Sequence, residues 1–294
     1  MAVENFETAT CSWLIPAAIG DSEKKRTAKK MKKQKFIFAG LMSGALVMLL
    51  SSCLTIHAKK IVEAPYLPPE QAFADAGEQE KNFKVYYSSS KSPVIDGEFN
   101  EWEGLDGIHV RRMVYGGMFN PENTDGLFKV RADDSFIYIF ADILDDEPQE
   151  NKFPAPQGWR DDSIEFFFGT DTGYHTFYKP TDHRVRIVPQ SKTNKTAYDV
   201  SLNDVSMNGS IKAAIVYSEH GYKVEAAIPF SLMSIKKLKP KQKVRGDFQI
   251  NDADGGKERS RLIHWNSSKD NTYLDASSWG DGVVVDLESA LEAK

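Results

Sequence analysis

The sequence predicts an all-β fold: a single antiparallel β-sandwich, jelly-roll-like and of about 10–14 strands, over residues 83–289. Short runs rich in Val, Ile, Phe and Tyr recur there about every eight to twelve residues, between clusters of Gly, Asn and Asp. Helical periodicity is nearly absent, and no internal repeat divides the region. About 200 residues can bury one sandwich core, so we expect a single domain.

Nine segments are the clearest predicted strands: Ile108–Val114, Leu127–Ala132, Phe136–Leu144, Ser163–Phe168, Arg184–Val188, Ile211–Tyr217, Tyr222–Ile228, Val244–Asn251 and Val283–Leu287. One short helix is predicted at Phe230–Ile235, because the preceding Pro229 suits a helix start. The segment at 161–168 can be assigned face by face, since side chains alternate along a strand. Ile164 and Phe166 then point to the core with Asp162, and Glu165 projects from the opposite surface.

Export is predicted from the region ahead of the sandwich. Three lysines follow Met31, an apolar run ends at Leu50, and Ser51-Ser52-Cys53 comes next. This order is typical of a signal peptide over residues 31–52, and its apolar run is too short to span a membrane. The ending resembles the lipobox of bacterial lipoproteins, which implies a lipid on Cys53. Residues 1–30 are then expected to be an upstream extension with a non-native start.

Residues 53–82 are predicted to be a flexible, lipid-anchored linker, since prolines and many Ala, Glu and Gln residues cannot bury much apolar surface. No acidic residue follows Cys53 directly. By resemblance to bacterial sorting rules, this favours an outer-membrane lipoprotein of the cell envelope. The sequence leaves two alternatives for the side of the outer membrane that carries the domain, the periplasmic face and the cell-surface face.

Charge and cysteine content exclude several function classes. Removing residues 1–52 takes away 8 of 37 Lys and Arg and 4 of 42 Asp and Glu, which leaves a net charge near −9. That charge argues against nucleic acid as a partner. Cys11 lies in the leader and Cys53 carries the lipid, so no disulfide or catalytic thiol is expected. Hydrolase-elbow, zinc-protease and phosphate-loop motifs are absent from the sequence, and we expect no enzyme activity.

Aromatic and planar polar residues together indicate a sugar site. The C–H face of a sugar ring stacks on an indole or phenol, while its hydroxyls need polar partners. The residues that supply this mixture are Trp159, Glu165, Arg184, Arg186, Gln249, Asn271 and Tyr273. The alternative is that the aromatic rings only fill a β core. That second assignment is the one we expect for Trp102, Trp265 and Trp279.

Acidic clusters suggest a metal site. They are Asp133-Asp134, Asp145-Asp146-Glu147, Asp161-Asp162 and Asn251-Asp252-Ala253-Asp254. Oxygen ligands gathered from several loops are what calcium requires, although none of these clusters has the spacing of an EF-hand. Aspartates that only cap turns are the alternative.

Six short motifs in order resemble the family 9 carbohydrate-binding modules over residues 92–287. The matching pieces are Val94-Ile95-Asp96-Gly97 with Trp102, Ile137-Tyr138-Ile139 with Leu144-Asp145-Asp146, Trp159-x-x-Asp162-Ser163-x-Glu165, Gly221 to Pro229, Phe248 to Asp254, and Trp265-Asn266 with Ser278-Trp279-Gly280. The resemblance implies a β-sandwich with structural calcium and a blind slot, in which two aromatic rings clamp the reducing-end sugar of a glucan or xylan chain.

Carried over by position, Trp159 matches one clamp ring, Glu165 and Arg186 match hydroxyl-binding groups, and Gln249 matches a further polar contact. The second ring of the family is a Trp shortly after an Asn. Here Asn271 and Tyr273 are the candidates, which replaces the indole by a phenol. By the same resemblance, the calcium ligands are Asp145, Asp162, Asp252 and Asp254.

The resulting hypothesis is a lipid-anchored module that binds a glucan- or xylan-type oligosaccharide or polysaccharide without transforming it, with a glycoside hydrolase or transporter as an expected neighbour. Similar sandwiches bind haem b through an axial Met, and Met113, Met118, Met207 and Met233 leave that electron-transfer alternative open. A ligand-free docking domain of the envelope is a third alternative.

Overall fold

The computed structural model describes residues 81–147, 151–189, 198–256 and 258–294. The predicted leader, Cys53 and nearly all of the linker lie outside these residues, so export and lipidation stay predictions. Among the residues that are described, no helix has both the length and the apolar character needed to cross a membrane.

The described residues form fourteen strands and few helices. The strands are β1 (Asn82–Tyr87), β2 (Ile108–His109), β3 (Arg112–Tyr115), β4 (Thr124–Ala132), β5 (Phe136–Asp145), β6 (Ser163–Gly169), β7 (Asp182–Pro189), β8 (Tyr198–Leu202), β9 (Val205–Ser206), β10 (Lys212–Ser218), β11 (Gly221–Pro229), β12 (Lys243–Asp252), β13 (Arg261–His264) and β14 (Gly280–Asp286). Short 3-10 helices span Asn100–Trp102, Ala155–Arg160, Phe230–Leu232, Asp254–Gly256 and Ala276–Ser278, and α1 spans Leu287–Glu292.

Hydrogen bonding joins the strands into one curled sheet in the order β10-β11-β5-β4-β1-β14-β12-β6-β7-β8-β9. Strand β13 pairs with β12 and β3, and β2 pairs with β4. The predicted all-β sandwich is confirmed, but the sheet is mixed: β1 runs parallel to both β14 and β4. A purely antiparallel sheet was the wrong expectation, because the alternation of side chains along a strand is the same in either direction.

The core lies between the two halves of the curled sheet. Phe128 of β4 meets Phe248 of β12 with ring centroids 5.2 Å apart, and Phe166 of β6 stacks on Phe248 at 5.6 Å. Where the halves approach closely there is no room for a side chain, since a Cβ at Gly126 would lie 2.4 Å from Ile250 Cδ1. Each buried Phe contributes about 1.5–3 kcal/mol relative to an exposed one, so this aromatic layer holds the halves together.

The outer face of β6 is covered, in contrast to the open surface predicted for it. Ile164 and Phe166 do face the core, but Phe167 on the other side packs against Trp279 at 6.0 Å, under the segment that carries Ala276. Glu165, also on this side, is buried. The segment that covers β6 leaves a cleft above this strand, where the sequence predicted a solvent-exposed surface.

Three tryptophans are buried as predicted: Trp102, Trp265 and Trp279. The first is held by Glu225 of β11, whose Oε2 accepts the indole N–H at 3.2 Å while Oε1 accepts the backbone N–H groups of Asp96 at 2.6 Å and Gly97 at 2.7 Å. Gly97 has a φ of 90°, which glycine adopts without strain. The start of the domain is thereby fastened to the sheet.

Candidate functional site

A cleft of about 230 Å³ lies on the outer face of β6, β7 and β12. Its lining combines aromatic rings with charged and amide side chains: Trp159, Glu165, Arg184, Arg186, Asp204, Gln249, Arg259, Asp270 and Tyr273. A groove of about 1090 Å³ beside β1, β14 and α1 is larger, but its described lining contains no aromatic ring. Of these two, the smaller cleft is the one that places flat aromatic faces next to hydrogen-bonding groups.

Strand register places three polar side chains across the floor of the cleft. Glu165 of β6 lies opposite Arg186 of β7 and opposite Gln249 of β12. Directly opposite residues point to the same face of a sheet, so the three side chains form a row. The alternation that sends Ile164 and Phe166 to the core sends Glu165 into this row.

Glu165 is an ion-paired carboxylate, and one of its oxygens accepts no hydrogen bond from the described residues. Its Oε1 accepts from Arg186 Nε at 2.8 Å and from Asn251 Nδ2 at 3.1 Å. Its buried Oε2 accepts no hydrogen bond from the described residues, and Arg184 Nε lies 3.5 Å away. Burial raises the pKa of Glu165, but the charges of Arg186 and Arg184 outweigh burial and hold that pKa below its ordinary value. This oxygen, Oε2, therefore belongs to an ionised group that can accept a donor.

Arg186 is fixed by the segment that forms one side of the cleft. Its Nη1 donates to the carbonyl oxygens of Ala155 at 2.7 Å and Pro156 at 3.1 Å, and to Asp204 Oδ1 at 2.9 Å. Burial lowers the pKa of Arg186, but the charges of Glu165 and Asp204 raise it more. The guanidinium is thus a rigid, permanently charged part of the floor.

Two half-exposed rings line the cleft above this floor. Trp159 is 40% exposed and Tyr273 is 44% exposed, unlike the buried tryptophans of the core. The guanidinium carbon of Arg259 lies 5.3 Å from the Trp159 ring, and that of Arg184 lies 5.6 Å from the Tyr273 ring. Such cation–π contacts orient the rings at the entrance.

Of the six binding residues carried over from the family by position, five line the cleft: Trp159, Glu165, Arg186, Gln249 and Tyr273. Arg184, also named for the sugar site, lines it too. Asn271 does not line it, because its Nδ2 points to Asp275 Oδ2 at 3.4 Å. The chain turns after Asp270, and that turn places Asp270 in the cleft and Asn271 outside it.

Three lining residues escaped the sequence reasoning: Asp204, Arg259 and Asp270. Asn203-Asp204 is a tight turn with φ values of 48° and 63°, and an Asn-Asp pair between two strands is a recognisable hairpin signal. Nothing in that signal shows that the turn reaches β7. Arg259 and Asp270 lie on loops that meet only in the folded chain.

A second cluster lies at the ends of β5 and β12. Asp145, Asp162 and Asp252 are buried there, and Asp254 is partly buried. Burial, followed by the charges of Asp162 and Asp252, raises the pKa of Asp145 to about 8, and burial raises that of Asp252 to about 7. The four predicted metal ligands therefore converge, and carboxylate oxygens of Asp145, Asp146 and Asp254 lie within 4.8 Å of one another.

The donor set of this cluster fits a hard cation. Asp252 Oδ1 is buried and accepts no hydrogen bond from the described residues, and the same holds for Asp254 Oδ1. Arg261 Nη1 lies 2.7 Å from Asp254 and 3.4 Å from Asp252, so one guanidinium faces several carboxylates. Asp162, assigned to the core face, is buried in this cluster, where its Oδ1 accepts the N–H of Ala253 at 2.9 Å. Oxygen ligands from separate segments suit calcium.

A model of the family described as carbohydrate family 9 binding domain-like matches residues 95–287. The chain belongs to this family. Membership confirms the predicted family, the β-sandwich fold and a carbohydrate-binding function.

Relatives of this family 9 domain include large enzymes. It is 26% identical over 204 residues to exoglucanase XynX of Acetivibrio thermocellus and 27% identical over 191 residues to endo-1,4-beta-xylanase A of Thermotoga maritima. These matches cover 69% and 65% of this chain, but only 17% of each enzyme.

Solved structures share the fold. A family 9 carbohydrate-binding module of Caldicellulosiruptor kristjanssonii, solved with cellotriose, has a TM-score of 0.57 and 23% identity, and the match covers 70% of this chain and 94% of that one. The same organism's module solved with glucose gives a TM-score of 0.57 at 22% identity, covering 70% of this chain and 96% of that one.

Proposed function

We propose that the cleft binds the terminal sugar of a glucan- or xylan-type chain and leaves it chemically unchanged. The observation that carries the proposal is Glu165: this ionised, buried carboxylate has one oxygen that accepts no hydrogen bond from the part of the chain that the structure describes, in a cleft that two half-exposed rings line. A buried acceptor without a donor is costly, and a ligand hydroxyl would remove that cost.

The remaining groups match the other needs of a sugar ring. Trp159 and Tyr273 offer faces for its C–H groups, and Gln249 and the arginines offer N–H donors for its oxygens. Hydrogen bonds from charged groups to hydroxyls are stronger than neutral ones, so the floor would set the orientation of the ring. The cleft is smaller than the 300–1,000 Å³ or so that is usual for ligand pockets, which favours one terminal sugar over an internal segment.

Binding without hydrolysis follows from the state of Glu165. A glycosidase acid must be protonated near neutral pH, and such groups have raised pKa values. The pKa of Glu165 is lowered instead, and Arg186 holds its Oε1 at 2.8 Å. This carboxylate suits hydroxyl binding and not proton donation.

We propose in addition that the aspartate cluster holds calcium, with Asp145, Asp162, Asp252 and Asp254 as ligands and Asp146 as a further candidate. Asp162 directly precedes β6 and Asp252 ends β12, and these two strands carry Glu165 and Gln249. A cation there would neutralise the surplus charge and fix the strand ends next to the cleft.

A lipid on Cys53 would anchor the module to the cell envelope, where a glycoside hydrolase or transporter would share its glycan. This part of the proposal rests on the leader sequence alone. Labelling of the exported protein with a palmitate analogue, with Cys53→Ala as control, tests it. Label that persists in the variant would contradict it.

Calorimetric titration of the purified domain with cellobiose, cellotriose and xylobiose tests the binding. Trp159→Ala should weaken binding by about 1–3 kcal/mol, the range for stacking on an aromatic ring, and leave the melting temperature nearly unchanged. Tyr174→Ala is the matched control, since Tyr174 is 79% exposed and lies outside the cleft. Absence of heat with every neutral glycan would contradict the proposal, and a Soret band in the purified protein would support haem instead.

A further inference from the structure

The positive and negative side chains that line the cleft are paired with one another. Arg186 pairs with Glu165 at 2.8 Å and with Asp204 at 2.9 Å, and Arg184 also pairs with Asp204. Arg259 Nη2 pairs with Asp270 Oδ2 at 2.6 Å. Three guanidinium groups therefore meet three carboxylates in the lining.

Two of the three carboxylates are more exposed to solvent than the guanidinium groups, whereas Glu165 is buried. The side chains of Arg184 and Arg186 are buried, and that of Arg259 is 12% exposed. Asp204 and Asp270 are 50% and 47% exposed. The positive charges thus lie deep, and the part of the cleft that faces solvent is acidic.

We propose that this cleft selects neutral sugar ends and rejects uronic acids, with Asp204 and Asp270 as the residues that determine this specificity. The inference rests on the proposed function of the cleft, and it adds the charge class of the ligand. An acidic sugar would bring its carboxylate next to the two aspartates, and no unpaired guanidinium in the described lining could compensate for it. Like charges placed together are a common means of excluding a wrong partner.

Asp204 is held in place by the backbone. Asn203 N donates to the carbonyl of Arg184 at 2.9 Å, and Arg184 N donates to Asn203 Oδ1 at 2.8 Å. The φ of 63° at Asp204 lies in the left-handed region, which asparagine also adopts readily. Asp204→Asn should therefore remove the charge, keep the acceptor for Arg186 and preserve the turn.

Three sugars that differ only at C6 separate charge from shape: glucose, glucuronate and glucuronamide. In competition titrations at low salt, the wild-type domain should bind glucuronate at least about tenfold more weakly than glucuronamide. Asp204→Asn and Asp270→Asn should each reduce this difference in affinity between glucuronate and glucuronamide, and the double variant should reduce it most. Asp142→Asn is the control, since Asp142 pairs with Lys223 on β11 at 3.0 Å, outside the cleft.

The outcomes separate the two proposals. Equal binding of glucuronate and glucuronamide, with glucose still bound, would contradict the selectivity and leave the proposed function standing. Weak binding of both C6 derivatives would show exclusion by shape and would also contradict the role of charge. Binding of none of the three sugars or of any neutral oligosaccharide would contradict the proposed function and the selectivity with it. If a variant fails to fold, the comparison of glucuronate with glucuronamide on the wild-type protein still tests the selectivity.

Discussion

The cleft and the aspartate cluster both lie beside β6 and β12, but they differ in how their charges are paired. Side chains on one face of β6 and β12, such as Glu165 and Gln249, form the cleft floor, and their neighbours in sequence point to the core. In the cleft each arginine has a carboxylate partner. In the cluster Arg261 pairs with the buried Asp252 and the partly buried Asp254. The cleft therefore balances its charges with its own side chains, whereas the cluster keeps a surplus of carboxylates, which is the basis of the calcium proposal.

The largest expected effect comes from breaking the internal pairing of the cleft. Glu165→Ala removes the buried carboxylate that pairs with Arg186 and leaves it only the half-exposed Asp204, and removal of one member of a buried pair costs about 3–5 kcal/mol. Denaturant unfolding should show this loss of stability. The double variant with Arg186→Ala should lose less than the sum of the single losses, and strict additivity would contradict a coupled pair.

Removal of calcium with a chelator tests whether the aspartate cluster binds the ion. An ion at about 100 times its Kd stabilises the folded state by about 2.7 kcal/mol, so a chelator should lower the melting temperature by about 5–10 °C. Calcium should restore it, and Asp252→Asn should remove most of the response. An unchanged melting curve in chelator would mean that the aspartates bind no ion.

Acid should affect the cleft in a defined direction. Because the pKa of Glu165 is lowered in the folded protein, its stabilising contribution is present above its unfolded pKa of about 4.3 and disappears as pH falls through the folded value. Sugar affinity at saturating calcium should therefore stay flat from about pH 8 to about pH 5. Glu165→Gln should flatten the acid side of the stability profile. A loss of affinity already near pH 6 in the wild type would contradict an ionised, paired Glu165.

The smallest effect on sugar affinity is expected from a substitution at Asn271, and it tests whether this residue lies outside the cleft. Because its amide points to Asp275, Asn271→Ala should change sugar affinity by less than about twofold. Asp270→Ala, one position earlier, should alter affinity clearly, since Asp270 holds Arg259 beside Trp159. Calorimetry on the two variants compares them, and the reverse order would support the position expected from sequence.

Local patterns predicted much of the fold. All nine predicted strand segments overlap observed strands, although Ile108–Val114 divides into β2 and β3, and Leu287 begins α1. The predicted helix after Pro229 is a single 3-10 turn, Phe230–Leu232. Strands β1, β8, β9 and β13 were not predicted. Strands β8, β9 and β13 have only two to five residues, and β1 is held by β4 and β14, which lie far along the chain.

The sequence by itself determined the family, the all-β architecture and the residue types of both regions, because side-chain alternation and turn chemistry are local properties. The tertiary structure alone decided that β1 runs parallel to its neighbours, that the outer face of β6 is covered, and that Asp204, Arg259 and Asp270 complete the cleft. These features depend on strand register and on contacts between distant loops. Such contacts form only when burial of the shared core brings the loops together, so no local pattern encodes them.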